Sequence, residues 1–550
     1  MQRWLVRILV VVAALVGIAY CLREAILLEM VGVAARSRYG IGPHQDVAWS
    51  VGPAAPAAAR RPPNIVLIVA DDLGWNDLTF RGGGVAGGTV PTPHIDSIAA
   101  EGVQFTRAYS GNGTCAPSRA AMMAGRYPTR FGFEFTPTPP GMLRLVSRLG
   151  DPRRLRKPIT YFDERGDQAV PYDEMGVPAS EITLAETLAS AMYHTVHIGK
   201  WHLGRANGMA PHDQGFDESL LMASGLYLPE DHPEVVNSKQ DFDPIDKFLW
   251  AGMRYAASFN GGDAFEPGGY LTDYYTDEAI KVVEANKHRP FFLYLAHWAP
   301  HTPLQATRAD YDALSHIEDH RLRVYAAMIR ALDRGVGRVL DALEQNGLAD
   351  DTLVLFTSDN GGAHYIGLPE VNEPFRGWKI SFFEGGIHVP LFARWPAAIP
   401  AGIRYDEPVH HFDIYATAAA AAGTPMPTDR RMDGVDLLPF VRGEVSGVPH
   451  ERLFWRQGHY QVVLADGWKL QVTERPDATW LFDMRGDPTE QRNLAAEQPE
   501  RVEAMKSMLA AHNASQLPPA WPSLIEAPIN IDKDITRPDA PDDEYVYWPN

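Results

Sequence analysis

Three runs of uninterrupted or nearly uninterrupted apolar residues, Asn64 to Ala70 (NIVLIVA), Phe291 to Ala296 (FFLYLA) and Thr352 to Ser358 (TLVLFTS), with a shorter one at Thr195 to Ile198, limit what this chain can fold into. They are too short for ordinary helices and too apolar for strands with one wet face. Strands of that kind belong in a sheet covered on both sides, which is typically a parallel one. Helical stretches lie between them: Ile182 to Met192, Thr272 to Asn286 and Leu322 to Gln345. The alternation predicts an α/β fold, a large, mainly parallel, doubly wound sheet flanked by helices. Near residue 450 the pattern changes to short alternating strands, Gln461 to Ala465 and Trp468 to Thr473, which predict a smaller C-terminal subdomain built on a short antiparallel sheet. The expected organisation is an N-terminal segment 1–42, a Gly-, Pro- and Ala-rich linker 43–63, the main domain 64–448, the antiparallel subdomain 449–516, and a Pro- and Asp-rich tail 517–550 running extended over the surface.

At the N-terminus, Arg3 and Arg7 precede an apolar run from Ile8 to Leu22. This is an export or anchor signal. No small-x-small site follows closely, since Val33-Ala34-Ala35 lies beyond a charged stretch, so an uncleaved membrane anchor is expected over a cleaved, secreted form. The upstream arginines place the body on the exported, periplasmic side. A formal net charge of −19 argues against nucleic acid as a partner and requires any anionic ligand to find a local basic site. Two cysteines, Cys21 and Cys115, give no disulfide framework.

Chemistry concentrates after the strands. Asp71 and Asp72 follow the first, Asp359 and Asn360 a late one, and α/β sheets bind ligands at the carboxyl ends of their strands. Acidic and amide oxygens gathered there suit one hard divalent cation, calcium or magnesium. Cys115 opens Cys-Ala-Pro-Ser-Arg, where Pro117 suits a first helical turn and Arg119 adds a permanently charged planar donor. Lys200 and His202, in Gly-Lys-Trp-His-Leu-Gly, can serve one pocket as anion clamp and proton carrier. His297 and His301 both follow the strand Phe291 to Ala296, and Lys379 precedes Glu384-Gly-Gly, with Arg376 a weaker candidate nearby.

By the Cys115-x-Pro-Ser-Arg pattern followed by Met123-Ala-Gly-Arg, the chain resembles the type I sulfatases of the alkaline phosphatase-like superfamily, from about Asn64 to Asn493. Ala124 stands where that family usually has Thr, leaving the five-residue core intact. The resemblance implies a sulfuric ester hydrolase of arylsulfatase type. It further implies that a maturation enzyme converts Cys115 to formylglycine (3-oxoalanine), and that Asp71, Asp72, residue 115, Asp359 and Asn360 hold one ion, calcium rather than magnesium. Arg119 and Lys200 would support the hydrated aldehyde and the sulfate, His301 with Lys379 would protonate the leaving oxygen, and His202 would take a proton from the second hydroxyl. His297 would pack behind them. The substrate would be a sulfated small molecule or glycan. Rival readings are a phosphonate monoester or phosphodiester hydrolase of the same superfamily, a membrane-tethered glycan-binding protein without catalysis, and a thiol-based hydrolase. An irregular insertion between Thr136 and Ser180, bearing Arg144, Arg148, Arg153, Arg154, Arg156 and Lys157, is either a solvated loop or a guide for an anionic polymer. Asn112-Gly-Thr matches a glycosylation acceptor, but a glycan beside the nucleophile would block it.

Overall fold

The computed structural model describes residues 4, 7–9, 22–38, 40–55, 61–80, 82–149 and 157–550. Most of the N-terminal apolar run, Arg3, Cys21, Arg153, Arg154 and Arg156 lie outside the described residues. Ten strands form one sheet. Five of them make a continuous parallel centre, in the order Thr352–Ser358, Asn64–Ala70, Phe291–Ala296, His194–Gly199 and Glu218–Gly225. The flanks are mostly antiparallel, with Leu391–Arg394 and Val103–Phe105 on one side and Tyr255–Phe259 and Ala264–Phe265 on the other.

The lack of alternation in the central strands has a direct cause. Val66, Ile68 and Ala70 face one core, and Ile65, Leu67 and Val69 face a second core on the opposite side. Helices Pro93–Ala100, Leu271–Asn286 and His320–Gln345 cover the first face, and Cys115–Ala124, Leu184–Ser190 and Phe412–Ala421 the second. Register aligns the carboxyl ends: Ala70 pairs with Ser358, Val69 with Ala296, and Ala296 with Gly199. Asp71, Lys200, His297 and Asp359 therefore leave the sheet at one level.

A four-stranded antiparallel sheet, Arg452–Gln457, Tyr460–Ala465, Trp468–Glu474 and Asp477–Asp483, carries helix Pro499–Asn513. Three segments depart from expectation. The linker is fastened to the body: Trp49 is buried with Nε1 donating to Glu278 at 2.7 Å, and Gly42 N–H donates to Ala264 O at 2.8 Å. The 136–180 insertion is not irregular throughout, because Leu143, Val146 and Leu149 give helix Pro140–Leu149 a buried stripe. The tail does not run extended over the surface. Ile525–Asn530 pairs with Tyr545–Pro549 and with Thr160–Tyr161 of the insertion, and Ile531 and Val546 are wholly buried. Its scattered isoleucines and valine, outnumbered by Pro and Asp, decide the outcome. Among the described residues no helix is long and apolar enough to cross a membrane.

Candidate active site

Asp71 and Asp72 turn off the first strand, and Asp72 takes a left-handed conformation at φ 63°, which aims the two carboxylates at a common point. Cys115 is the first residue of helix Cys115–Ala124, whose ten residues are all buried. Gly113 permits the backbone at Ile380 and Ser381 to close over the loop before it, since a Cβ there would lie 2.6 Å from Ser381 O. Ile380 N–H donates to Gly113 O, which brings the Lys379 segment beside residue 115.

The Cys115 thiol lies 3.5 Å from Asp71 Oδ1 and 3.7 Å from Asp72 Oδ1. Arg119 is fully buried and uses most of its fork: Nε donates to Asp359 Oδ2 at 2.8 Å, Nη2 to Asp71 Oδ2 at 3.2 Å, and Nη1 to Lys200 O at 3.0 Å. Lys200 Nζ is 2.6 Å from Asp71 Oδ2. Lys379 Nζ donates to Asp72 at 2.7 Å and to the Tyr365 hydroxyl at 3.0 Å, and that hydroxyl donates to Asp72 Oδ2 at 3.0 Å. His301 Nε2 is 3.5 Å from Asp72 Oδ2, while its Nδ1 donates to Thr302 O at 2.6 Å. That bond places the ring proton of the neutral form on Nδ1 and leaves Nε2 facing the site.

Burial and the neighbouring Asp359 push Asp71 up to about 6, against Lys200 and Arg119. For Asp72 burial is outweighed by Lys379, His301 and Lys200, which hold it far below the usual carboxylate range. The Cys115 thiol is driven up by burial and Asp359, so the unmodified side chain is a protonated, weak nucleophile. His202, at φ 64°, is pushed well down by burial and by Lys200, and its buried Nδ1 has no hydrogen-bond partner.

Asp71, Asp72, Cys115 and His301 bring one ligand atom each within 4.8 Å of one another. Asn360 Nδ2 donates to Asp72 Oδ1 at 2.8 Å, yet its Oδ1 is buried without a partner. A buried amide oxygen left unpaired costs free energy unless something else satisfies it. An oxygen-rich donor set with one oxygen still free fits a hard divalent cation. Asp359 borders the same point, its Oδ1 accepting from Asp72 N–H at 3.2 Å.

The structure thus gathers Asp71, Asp72, Cys115, Arg119, Lys200, His301, Asp359, Asn360 and Lys379 through direct contacts, with His202 sharing their electrostatic surroundings. His297 stays apart in hydrogen-bonding terms, wholly buried with neither ring nitrogen partnered. Arg376 turns away to Asp532 and Glu544 of the tail. Asn112 is buried. Sequence reasoning missed Tyr365, Tyr294, whose hydroxyl accepts from Arg119 at 3.3 Å, and His411, whose Nδ1 is 3.2 Å from Ser118 Oγ. Only Tyr294 carried a signal: as an inward residue of a buried strand, its hydroxyl needed a partner.

The sulfatase family model matches residues 63–424, and the model of the N-sulphoglucosamine sulphohydrolase C-terminal region matches residues 377–515. The chain is 31% identical over 439 residues to the uncharacterized sulfatase YdeN of Escherichia coli, covering 74% of this chain and 71% of that one. It is 34% identical over 411 residues to the N-acetylgalactosamine-6-sulfatase of Mus musculus, covering 73% and 70%. The crystal structure of Ps i-CgsB superposes with a TM-score of 0.68 at 30% identity, covering 84% of this chain and 95% of that one, and the same protein has been solved in complex with k-i-k-neocarrahexaose. The chain belongs to the sulfatase family of the alkaline phosphatase-like superfamily and is a sulfuric ester hydrolase.

Proposed function

We propose that this enzyme hydrolyses a sulfate ester with formylglycine, formed from Cys115 by a maturation enzyme, as the source of the nucleophile, and with one divalent cation, calcium before magnesium, held by Asp71, Asp72, residue 115, Asp359 and Asn360. The observation that carries this reading is the approach of Cys115 to two aspartates beside the unpaired Asn360 Oδ1. When present, the hydrated aldehyde supplies two hydroxyls where a thiol has none, and the ion supplies positive charge and Lewis acidity.

The protein's own groups have separable tasks. Arg119, tied to Asp71 and Asp359, fixes the helix start that carries residue 115. Lys200 and Lys379 present ammonium groups for the sulfate oxygens. His301 Nε2 faces the site and delivers the proton to the leaving oxygen; the approaching anion offsets the burial that otherwise drives this ring neutral. His202, held neutral, accepts a proton from the residue-115 side. Formally, three carboxylates balance Arg119, Lys200 and Lys379, so a divalent ion leaves a surplus of positive charge suited to a sulfate monoester.

A sulfated glycan is the substrate class favoured by the names of the relatives. For the N-terminus we infer an uncleaved membrane anchor with the body exported. Leu22, Ile26, Leu27, Met30 and Val33, in and just before helix Arg23–Arg38, support this, because they leave large apolar side chains exposed on either side of the charged Arg23 and Glu24. Mass spectrometry of the peptide spanning residue 115, with parallel assays on an aryl sulfate and an aryl phosphonate, tests the central reading. Full activity with intact cysteine, or faster turnover of the phosphonate, overturns it.

A further inference from the structure

Trp298 lies two residues beyond the strand Phe291–Ala296, is buried, and has no task in the chemistry above. Two groups of the site rest on its indole. The His301 imidazole is stacked on it with centroids 3.9 Å apart and planes at 24°, and Lys200 Nζ is 4.6 Å from the ring centroid. The indole is itself pinned. Its Nε1 donates to Gly225 O at 2.9 Å, and the Tyr227 hydroxyl lies 2.9 Å from the carbonyl oxygens of both Trp298 and His301. Gly225 leaves the room this needs, since a Cβ there would come within 3.1 Å of the indole.

The outer torsion of a histidine is broad, and the single bond from Nδ1 to Thr302 O leaves the ring free to rock about it. A flat partner at stacking distance removes that freedom, and only an aromatic face also attracts the Lys200 ammonium. We propose that Trp298 is a positioning residue for the leaving-group side of the reaction, holding the His301 ring so that Nε2 points at the departing oxygen. This rests on the assignment of His301 as the proton donor.

The test uses the full-length matured enzyme and two esters: phenyl sulfate, whose leaving oxygen needs a proton, and nitrophenyl sulfate, whose leaving group departs with little help. Trp298→Leu is expected to lose about 30-fold in kcat on phenyl sulfate and less than about threefold on nitrophenyl sulfate. Trp298→Phe, which keeps a flat face, recovers most of the loss. Placed in a His301→Asn enzyme, Trp298→Leu costs less than about threefold more, because its effect passes through a ring already gone. Fully additive losses in the double variant, or wild-type kinetics in Trp298→Leu, overturn the proposal. His301→Asn alone tests the underlying assignment: equal losses on the two esters remove His301 as the acid, while the double variant still decides whether Trp298 acts through it. If circular dichroism shows Trp298→Leu unfolded, Trp298→Met takes its place in every arm, with the same outcomes decisive.

Discussion

Two of the clusters of buried charge among the described residues are built differently. At the strand ends, Asp71, Asp72 and Asp359 meet Arg119, Lys200 and Lys379, and the balance is incomplete at the level of atoms: Asn360 Oδ1 and His202 Nδ1 are buried without partners. Where the antiparallel subdomain meets the main domain, Lys469 Nζ lies 2.7 Å from Glu384 Oε1 and 2.9 Å from Glu490 Oε1. There every remaining oxygen is used. Glu384 Oε2 meets His388 Nδ1 at 2.8 Å, and Glu490 accepts from Gln471 Nε2 at 2.8 Å and from Glu384 N–H at 2.6 Å. Burial of charge is common to both clusters, so it does not distinguish a site from a clamp. Between these two the difference is bonding capacity: the first cluster has room in its bonding for an ion and an anion, and the second has none.

The sharpest way to break this contrast is to remove Cys115, the residue proposed to give rise to the nucleophile. Cys115→Ala should lower turnover by at least about 10⁴-fold while thermal unfolding stays within about 2 °C of the parent, because a small side chain is replaced by a smaller one. Near-parental turnover on an aryl sulfate would remove residue 115 from the chemistry. Next in size is withdrawal of the proposed ion. Dialysis against a chelator should reduce activity by about 10³-fold, with recovery on adding calcium, and should lower the unfolding temperature, because a ligand of the folded state is lost. Activity indifferent to chelator would leave the free Asn360 oxygen unexplained by a cation.

How much of this was legible in the sequence depends on whether a residue's setting is local. Asp71, Asp359 and Lys200 could be placed because each directly follows a strand whose apolar run is continuous, and register carries such residues to one edge. Trp298, Tyr365 and His411 could not, since a single aromatic gives no period and their partners lie on other elements. Lys469 and Gln471 would be expected to face water in an alternating strand. They are buried instead because that face of the small sheet lies against the main domain, as the bond from Lys469 to Glu384 records. The tail was misjudged by composition, which weighs its prolines and aspartates but not the register that buries Ile531 and Val546.

The clamp supplies the two smaller tests. Lys469→Met leaves two buried carboxylates with no cation between them, which should destabilise the fold by about 3–5 kcal/mol in urea unfolding. Turnover of the folded fraction should stay within about threefold, since no clamp residue touches Asp71, Asp72 or residue 115. A loss of activity equal to that of Cys115→Ala would mean the two clusters are one. The finest test is titration. Burial drives Glu490 up to about 7 against Lys469, from an ordinary 4.5, so over that interval the folded state holds a proton that the unfolded chain has released. Stability from this group is complete below the unfolded value and fades as pH rises through about 7. For Glu384 burial opposes ionisation but Lys469 and His388 outweigh it and hold it down to about 2, so its contribution is present above the ordinary glutamate range and is lost only as pH falls through about 2. Glu490→Gln keeps an acceptor for Glu384 N–H and removes the titration. Between about pH 5 and 8 its stability should decline by up to about 3 kcal/mol less than that of the parent. Parallel curves for the two proteins would mean that Glu490 is ionised throughout, and that Lys469 neutralises both carboxylates at once.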